Sequence, residues 1–312
     1  MADTIPVADL KDIPHPGHPY LGGIRLVLGG NVFGWTIDRD RSFAVLDAFY
    51  EAGGRMIDTA EGYSNWVPGH KGGESETIIG EWLESRGVRP EMRIATKTGQ
   101  GLTPGMLAPD KVRSAIAGSL ERLRTDYVDL YYAHRDDAQT PLDEVAGVYG
   151  ELFAAGKARE IGASNYSAER LSQAIAAADR LGVQHFTVLQ PLYNLVARSE
   201  FEGPLMALCQ ARGIAALPYY GLAGGFLTGK YSSAADWEGS SRAHTLNAAV
   251  ANGGWAILED LRRQAGQSGA TPAQIALAWL NAQPTVAAPL ASATSPEQVR
   301  ELAGAAAIIL SD

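Results

Sequence analysis

A single cysteine, Cys209, stands in a chain of 312 residues. One thiol can neither close an intramolecular disulfide nor build a cysteine cluster for zinc or iron–sulfur, so a reducing compartment is expected. Cations are the second shortage. Lys and Arg number 26 against 35 Asp and Glu, a formal charge of −9, and that balance repels phosphate backbones and anionic membranes and leaves no electrostatic footprint for nucleic acid. No stretch approaches the about 18 consecutive apolar residues that a membrane span needs. The opening Met-Ala-Asp-Thr-Ile-Pro has neither the basic start nor the apolar run of a signal peptide. No Gly-x-Gly-x-x-Gly follows a strand and opens a helix, and the six histidines show no His-x-His or Glu-x-x-His spacing. The expectation is a cytoplasmic protein, monomer or homo-oligomer, with a small-molecule partner, no nucleic acid, no membrane and no metal.

What the chain has is alternation. Short runs rich in Ile, Val, Leu, Tyr and Phe fall near 24–28, 55–58, 92–96, 127–132, 158–163, 185–190, 213–218 and 285–288, and segments of helical periodicity separate them. Asp40 to Gly53 and Pro109 to Leu123 carry apolar stripes, Ser167 and Thr271-Pro272 open further helices, and a last helix is expected from Ser295 to Ala307. Successive runs lie about 30 to 35 residues apart, one βαβ unit each, except that the last gap is about twice as long. This predicts a (β/α)8 TIM barrel in one domain spanning 1–312, because such barrels absorb about 250 residues or more without dividing. Residues 1–23 are expected to form an N-terminal extension or hairpin. Residues 219–252, rich in Gly, Ser and Ala around Trp237, read as a long structureless loop over the active-site mouth.

Asp58, Tyr63, Lys97 and His134 each lie at or just beyond the carboxyl end of such a run. In a parallel barrel those ends converge on one mouth. Together the four make a proton donor, a cation to acidify it, an anion to hold that cation and an imidazole to orient a substrate oxygen.

Around these residues the motifs multiply. Ile57-Asp-Thr-Ala-Glu-Gly-Tyr63, Gly73-Glu-Ser-Glu76, Ala95-Thr-Lys97, Leu130-Tyr-Tyr-Ala-His134, Ile161-Gly-Ala-Ser-Asn165, Leu189-Gln-Pro-Leu-Tyr-Asn194 and Thr228-Gly-Lys230 occur in that order, and the chain from about 25 to 300 resembles the aldo-keto reductase superfamily. The resemblance implies reversible, nicotinamide-dependent hydride transfer between a carbonyl, an aldehyde or ketone of aromatic or sugar-like kind, and the corresponding alcohol. Tyr63 becomes the general acid/base, acidified by Lys97; Asp58 holds Lys97, and His134 aims the carbonyl. It also implies a cofactor site: Gly30, Asn31 and Asp58; Ser164, Asn165 and Gln190 on the nicotinamide carboxamide; Tyr219 stacked on the ring, with Tyr220 and Leu222; Gly225 and Lys230 at the pyrophosphate. Gly224 to Lys230 matches most of a Walker A loop, but Tyr231 stands where a magnesium ligand is required, so that reading is rejected. Trp35, Tyr63, Trp66, His134 and Arg135, with Trp237, are expected to line an aromatic substrate pocket.

One motif departs from the family. After the last strand Ser292 and Thr294 stand where a cation usually meets the 2′-phosphate of NADP, Gln298 is kept, and Leu302 replaces the asparagine that reaches the adenine. NADPH remains the expected cofactor, with NADH possible, since losing a charged hydrogen bond of about 1.5–3 kcal/mol narrows the preference. Two rival classes are a catalytically silent, nicotinamide-binding regulatory subunit of the same fold and a barrel hydrolase using Asp58 with Glu61 or Asp129 with Asp136.

Overall fold

The computed structural model describes residues 21–101, 103–240 and 242–310. Most of the expected N-terminal extension, 1–20, lies outside them. Eight strands, β1 (Val27–Gly29), β2 (Met56–Asp58), β3 (Arg93–Thr98), β4 (Leu130–Ala133), β5 (Ile161–Ser164), β6 (Val188–Gln190), β7 (Ala215–Ala216) and β8 (Leu290–Ala291), form one sheet in the order β7-β6-β5-β4-β3-β2-β1-β8. Every neighbouring pair is parallel. The sheet curls onto itself: Ala216 N–H donates to Thr285 O at 2.8 Å, Ala287 N–H to Ala216 O at 2.9 Å and Leu290 N–H to Pro218 O at 2.8 Å. The run expected at 285–288 therefore pairs with β7 and then continues to β8, which pairs with β1. That displacement is the stagger a closed barrel requires.

Ten helices follow: α1 (Arg39–Glu51), α2 (Glu74–Arg86), α3 (Pro109–Leu123), α4 (Leu142–Ala154), α5 (Ala168–Leu181), α6 (Pro204–Arg212), α7 (Ala243–Ala251), α8 (Gly254–Ser268), α9 (Pro272–Asn281) and α10 (Pro296–Ala303). Their starts follow local chemistry. Ser167 Oγ accepts from Arg170 N–H, and Thr271 and Gln274 cap each other ahead of a proline at the first helical position. No helix among the described residues is long and apolar enough to cross a membrane.

The expectation of a structureless stretch at 219–252 is overturned. It contains short 3₁₀ turns at Ala223–Thr228 and Ala234–Trp237 and then α7, and the doubled gap before β8 is filled by α7, α8 and α9. Alanines supply helix propensity here, and Trp237 supplies apolar burial.

Two apolar layers follow from the period of two along each strand. Val27, Met56, Ala95, Leu130, Tyr132, Val188, Ala215 and Leu217 pack inside the barrel. Leu28, Ile57, Ile94, Tyr131, Ala163 and Leu189 point outward to the helices. One residue needs its missing side chain. A Cβ on Gly162 would meet the Tyr132 ring at 2.6 Å, so only glycine leaves room for that tyrosine inside the barrel.

Candidate active site

The inward series continues past its apolar members. Two residues beyond Met56, Ala95, Tyr132 and Val188, on the same face of their strands, stand Asp58, Lys97, His134 and Gln190. Four polar groups thus cap the apolar interior at one end of the barrel.

Lys97 is fully buried, and its ammonium makes as many bonds as it has protons. Nζ donates to Asp58 Oδ1, to Thr59 O at 2.8 Å and to Tyr63 Oη at 2.9 Å. Asp58 accepts in addition from Gln190 Nε2 at 2.8 Å, and the Tyr63 hydroxyl lies 3.5 Å from its Oδ1. Burial pushes the Asp58 carboxyl up and the Lys97 ammonium down, while each partner opposes the shift of the other. Direct contact with every hydrogen-bonding position satisfied keeps the pair ionised. Glu76 adds to the field holding Lys97 charged; it is itself buried, accepting from Arg122 Nε at 2.7 Å and from Thr96 Oγ1.

Tyr63 differs from expectation in one respect. Burial, and then the Asp58 carboxylate, hold its hydroxyl well above the usual phenol range. The Lys97 charge that was to acidify it is largely answered by Asp58. Tyr63 therefore carries its proton at neutral pH, with the ammonium placed to stabilise the phenolate that proton loss would leave. Its loop is tied down by Ser64, a non-glycine residue at φ +72° whose hydroxyl donates to Phe33 O at 3.2 Å.

The His134 ring stands edge-on to Tyr63, centroids 6.1 Å apart. Burial, then Lys97 and Arg135, hold its pKa well below the ordinary histidine value, so the imidazole is neutral. Nδ1 is buried without a partner among the described residues. Trp66, 43% exposed, meets Trp35 edge to face at 5.3 Å and Tyr63 at 6.2 Å, which gives the mouth an aromatic wall. Arg135 is exposed beside it. Trp237 is elsewhere: it is buried within its own segment, stacked on Trp255 at 5.9 Å, with Nε1 donating to Asn247 Oδ1 at 2.9 Å. It does not line the mouth.

The residues named for a nicotinamide share the same end of the barrel. Asn165 sits at φ +55°, a conformation asparagine tolerates, and its amide donates to His134 O at 2.9 Å and Ser164 Oγ at 3.0 Å, while Oδ1 accepts from Tyr219 Oη at 2.8 Å. Ser164 Oγ donates to Gln190 O at 2.9 Å. Tyr220, 49% exposed, lies edge to face with Tyr219, and its carbonyl accepts from Asn194 Nδ2 at 2.9 Å. Further along, Gly224 and Gly225 have φ of +67° and +98°, and a Cβ built on Gly225 would meet Lys230 Nζ at 3.4 Å and Arg242 Nη1 at 3.8 Å. A bare backbone with two cations beside it suits a pyrophosphate. Leu222 opens that turn. Ser292 Oγ lies 2.5 Å from Asn31 Oδ1, joining the loops after β8 and β1, and Gln298 Oε1 accepts from Thr294 N–H at 2.8 Å and Thr294 Oγ1 at 3.1 Å. Gly30 accepts from Ser75 Oγ at 2.8 Å, and Leu302 is buried in the core.

Sequence reasoning missed Arg242 and Thr59. Arg242 precedes α7 with no motif around it, and Thr59 acts through a backbone carbonyl that no residue type discloses. The carboxylates of the hydrolase reading are all engaged. Asp58 is held by Lys97 and Gln190, Glu61 accepts from Thr98 Oγ1 and from Gly99 N–H at 3.2 Å, Asp129 accepts from Ile94 N–H at 2.9 Å and pairs with Arg89 at 3.0 Å and Arg159 at 3.3 Å, and Asp136 pairs with Arg170 at 2.7 Å.

The profile of the Aldo/keto reductase family matches residues 25–312. The chain belongs to the aldo/keto reductase family. An aldo-keto reductase of Strobilurus tenacellus is 33% identical over 298 residues, 93% of this chain and 83% of that protein. A probable voltage-gated potassium channel subunit beta of Oryza sativa is 31% identical over 278 residues, 86% of this chain and 83% of that protein. A norsolorinic acid reductase of Emericella nidulans is 36% identical over 240 residues, 70% of this chain but only 58% of that protein. Family and relatives support an oxidoreductase.

Proposed function

We propose that this aldo/keto reductase family member reduces aldehydes or ketones reversibly with a nicotinamide cofactor, NADPH in preference to NADH. The observation that carries the reading is the saturated Lys97 ammonium, which joins Asp58 to a protonated Tyr63 beside a neutral His134. When bound, the nicotinamide supplies or accepts the hydride. Tyr63 gives its proton to the alkoxide that forms, and Lys97 is placed to receive the charge left on the phenol oxygen. The Lys97 bond to the phenol oxygen strengthens as the phenolate appears. His134 orients the carbonyl oxygen toward Tyr63, which needs no charge on the ring.

The chain's own groups fit the cofactor. Ser164, Asn165 and Gln190 present amides and a hydroxyl for its carboxamide, Tyr219 an aromatic face, Gly225, Lys230 and Arg242 a cationic cradle, and Ser292, Thr294 and Gln298 the adenosine end. The wall formed by Trp35, Trp66 and Tyr63 suits a flat, aromatic substrate. The relative named for reducing norsolorinic acid supports reduction over a silent channel-subunit role. A cytoplasmic location accords with the single cysteine.

The test is oxidation of the reduced cofactor in the presence of an aromatic aldehyde, with Tyr63→Phe beside wild type. The variant is expected to lose about 10²–10⁴-fold in turnover, the usual contribution of general acid catalysis, while still quenching protein fluorescence on binding cofactor. A variant with wild-type kcat overturns the assignment.

A further inference from the structure

We propose that Glu61 is a positioning residue for Tyr63: it ties the loop that carries the phenol to the end of the strand that carries Lys97, and so sets the separation of the two groups. This deepens, and rests on, the proton-donor role given to Tyr63 above.

The parallel ladder between β2 and β3 ends at Asp58 opposite Ala95. Tyr63 stands beyond it, in a loop, yet its Oη lies 2.9 Å from Lys97 Nζ, so bonds outside the ladder must hold the loop against β3. Thr59 N–H still donates to Ala95 O at 2.8 Å and Glu61 N–H to Lys97 O at 3.1 Å, whereas Tyr63 N–H turns back onto Ala60 O at 3.2 Å. Glu61 is therefore the last grip on β3 before the phenol. Its side chain doubles that grip: Oε1 accepts from the Thr98 hydroxyl and from Gly99 N–H at 3.2 Å. One residue thus holds positions 97, 98 and 99.

Thr96 and Thr98 flank Lys97 on the face of β3 opposite its side chain, and each hydroxyl is held by a carboxylate. Thr96 Oγ1 donates to Glu76, which is paired with Arg122 at 2.7 Å. Glu61 forms no ion pair among the described residues, and burial pushes its carboxyl up. Its contribution is the two bonds its oxygen accepts, which an amide oxygen in the same place would accept as well. Without them the Tyr63 loop keeps only backbone bonds to β3, and a shift of about 1 Å in a reacting group can cost about 10²-fold in rate.

The experiment measures kcat and KM with an aromatic aldehyde, nucleotide binding by fluorescence, and thermal unfolding, for Glu61→Ala and Glu61→Gln in wild type and in Tyr63→Phe. Glu61→Ala is expected to lower kcat about tenfold to a hundredfold, with KM and nucleotide affinity within about twofold, and Glu61→Gln to recover most of that loss. In Tyr63→Phe the Glu61→Ala change should cost less than about twofold, because a residue that acts through Tyr63 has nothing left to position. Equal cost in both backgrounds, or a parallel loss of nucleotide binding, overturns the assignment by showing a general structural role, and so does an unchanged kcat in Glu61→Ala. Should Glu61→Ala fail to fold, Thr98→Val removes one of the same bonds from the other partner and is read in the same way. A Tyr63→Phe variant with wild-type kcat is a separate failure: it removes the proton-donor reading, and this assignment with it.

Discussion

Gln190 on β6 donates across the barrel to the Asp58 oxygen that Lys97 leaves open, at 2.8 Å. A residue expected to serve a cofactor thus also completes the coordination of a buried carboxylate on β2. Gln190→Leu would leave Asp58 Oδ2 desolvated and unpaired, at a cost of about 1–3 kcal/mol. Urea unfolding should show that loss together with weaker cofactor binding; loss of binding alone would mean the bond to Asp58 contributes nothing to the fold.

Lys97→Met is expected to do more harm than Tyr63→Phe. Removing the ammonium strands the Asp58 charge in an apolar barrel, about 3–5 kcal/mol for breaking a buried pair from one side. Asp58→Asn combined with Lys97→Met should recover part of that stability without recovering turnover. Thermal unfolding of the single and double variants decides it, and a double variant no more stable than Lys97→Met contradicts the pairing.

Two buried groups predict acid sensitivity in different ranges. His134 has a folded pKa well below the about 6.5 of an unfolded histidine, so the unfolded chain takes up a proton that the folded ring refuses. Stability from this group is complete above about pH 6.5 and declines as pH falls, by at most about 1.4 kcal/mol per pH unit. His134→Asn should flatten the stability profile between about pH 7 and 5; an unchanged slope would show that the ring titrates normally.

Asp137 acts lower on the scale. Burial would raise its carboxyl, but the backbone N–H of Leu107, the Thr140 hydroxyl and the N–H groups of Gly105 and Gln139 hold it at about 2. Its contribution is present above the unfolded value of about 3.9 and vanishes as pH drops through about 2. Asp137→Ala should cost about 2–4 kcal/mol at pH 7 by releasing the 105–107 turn from the loop after β4, and much less at pH 2.5. An equal cost at both pH values would show that packing, not charge, is at stake.

Trp237→Ala opens a cavity between Trp255, Phe226 and Tyr231 and strands the Asn247 amide oxygen. A loss of about 3–5 kcal/mol is expected within this cluster, read as faster hydrogen exchange in 223–251, while exchange in β2 and β3 stays unchanged.

The barrel was legible because its signals are local and repeated: period-two runs, helix-opening Ser, Thr and Pro, and glycines at turns. Pro109–Leu123 begins and ends where its pattern predicts. Three of the four residues were legible because the strand period places Asp58, Lys97 and His134 on the inward face, and Tyr63 because it follows β2 at the same end. What escaped depends on tertiary geometry. The stagger that splits 285–291 between β7 and β1 has no local signature, and neither does the compact packing of 219–252, where small residues read as loop until Trp237 finds its neighbours. The direction of the Tyr63 shift escaped because the depth at which its hydroxyl is buried has no local signature, and because Asp58 read as the holder of Lys97 and not as a second charge facing the phenol. Arg242, beside the Gly225 turn, precedes a helix with no capping motif to mark it.

The apolar cluster around Trp237 has a kinetic meaning. Phe226, Leu227, Leu246, Leu258 and Leu261 pack with it away from the barrel interior, so the segment that carries the glycine turn beside Lys230 is a small folded body rather than a slack strap. Such a body does not unravel residue by residue. On the nicotinamide reading proposed above, the cradle at Gly225 and Lys230 is therefore presented by a body that opens as a unit or not at all.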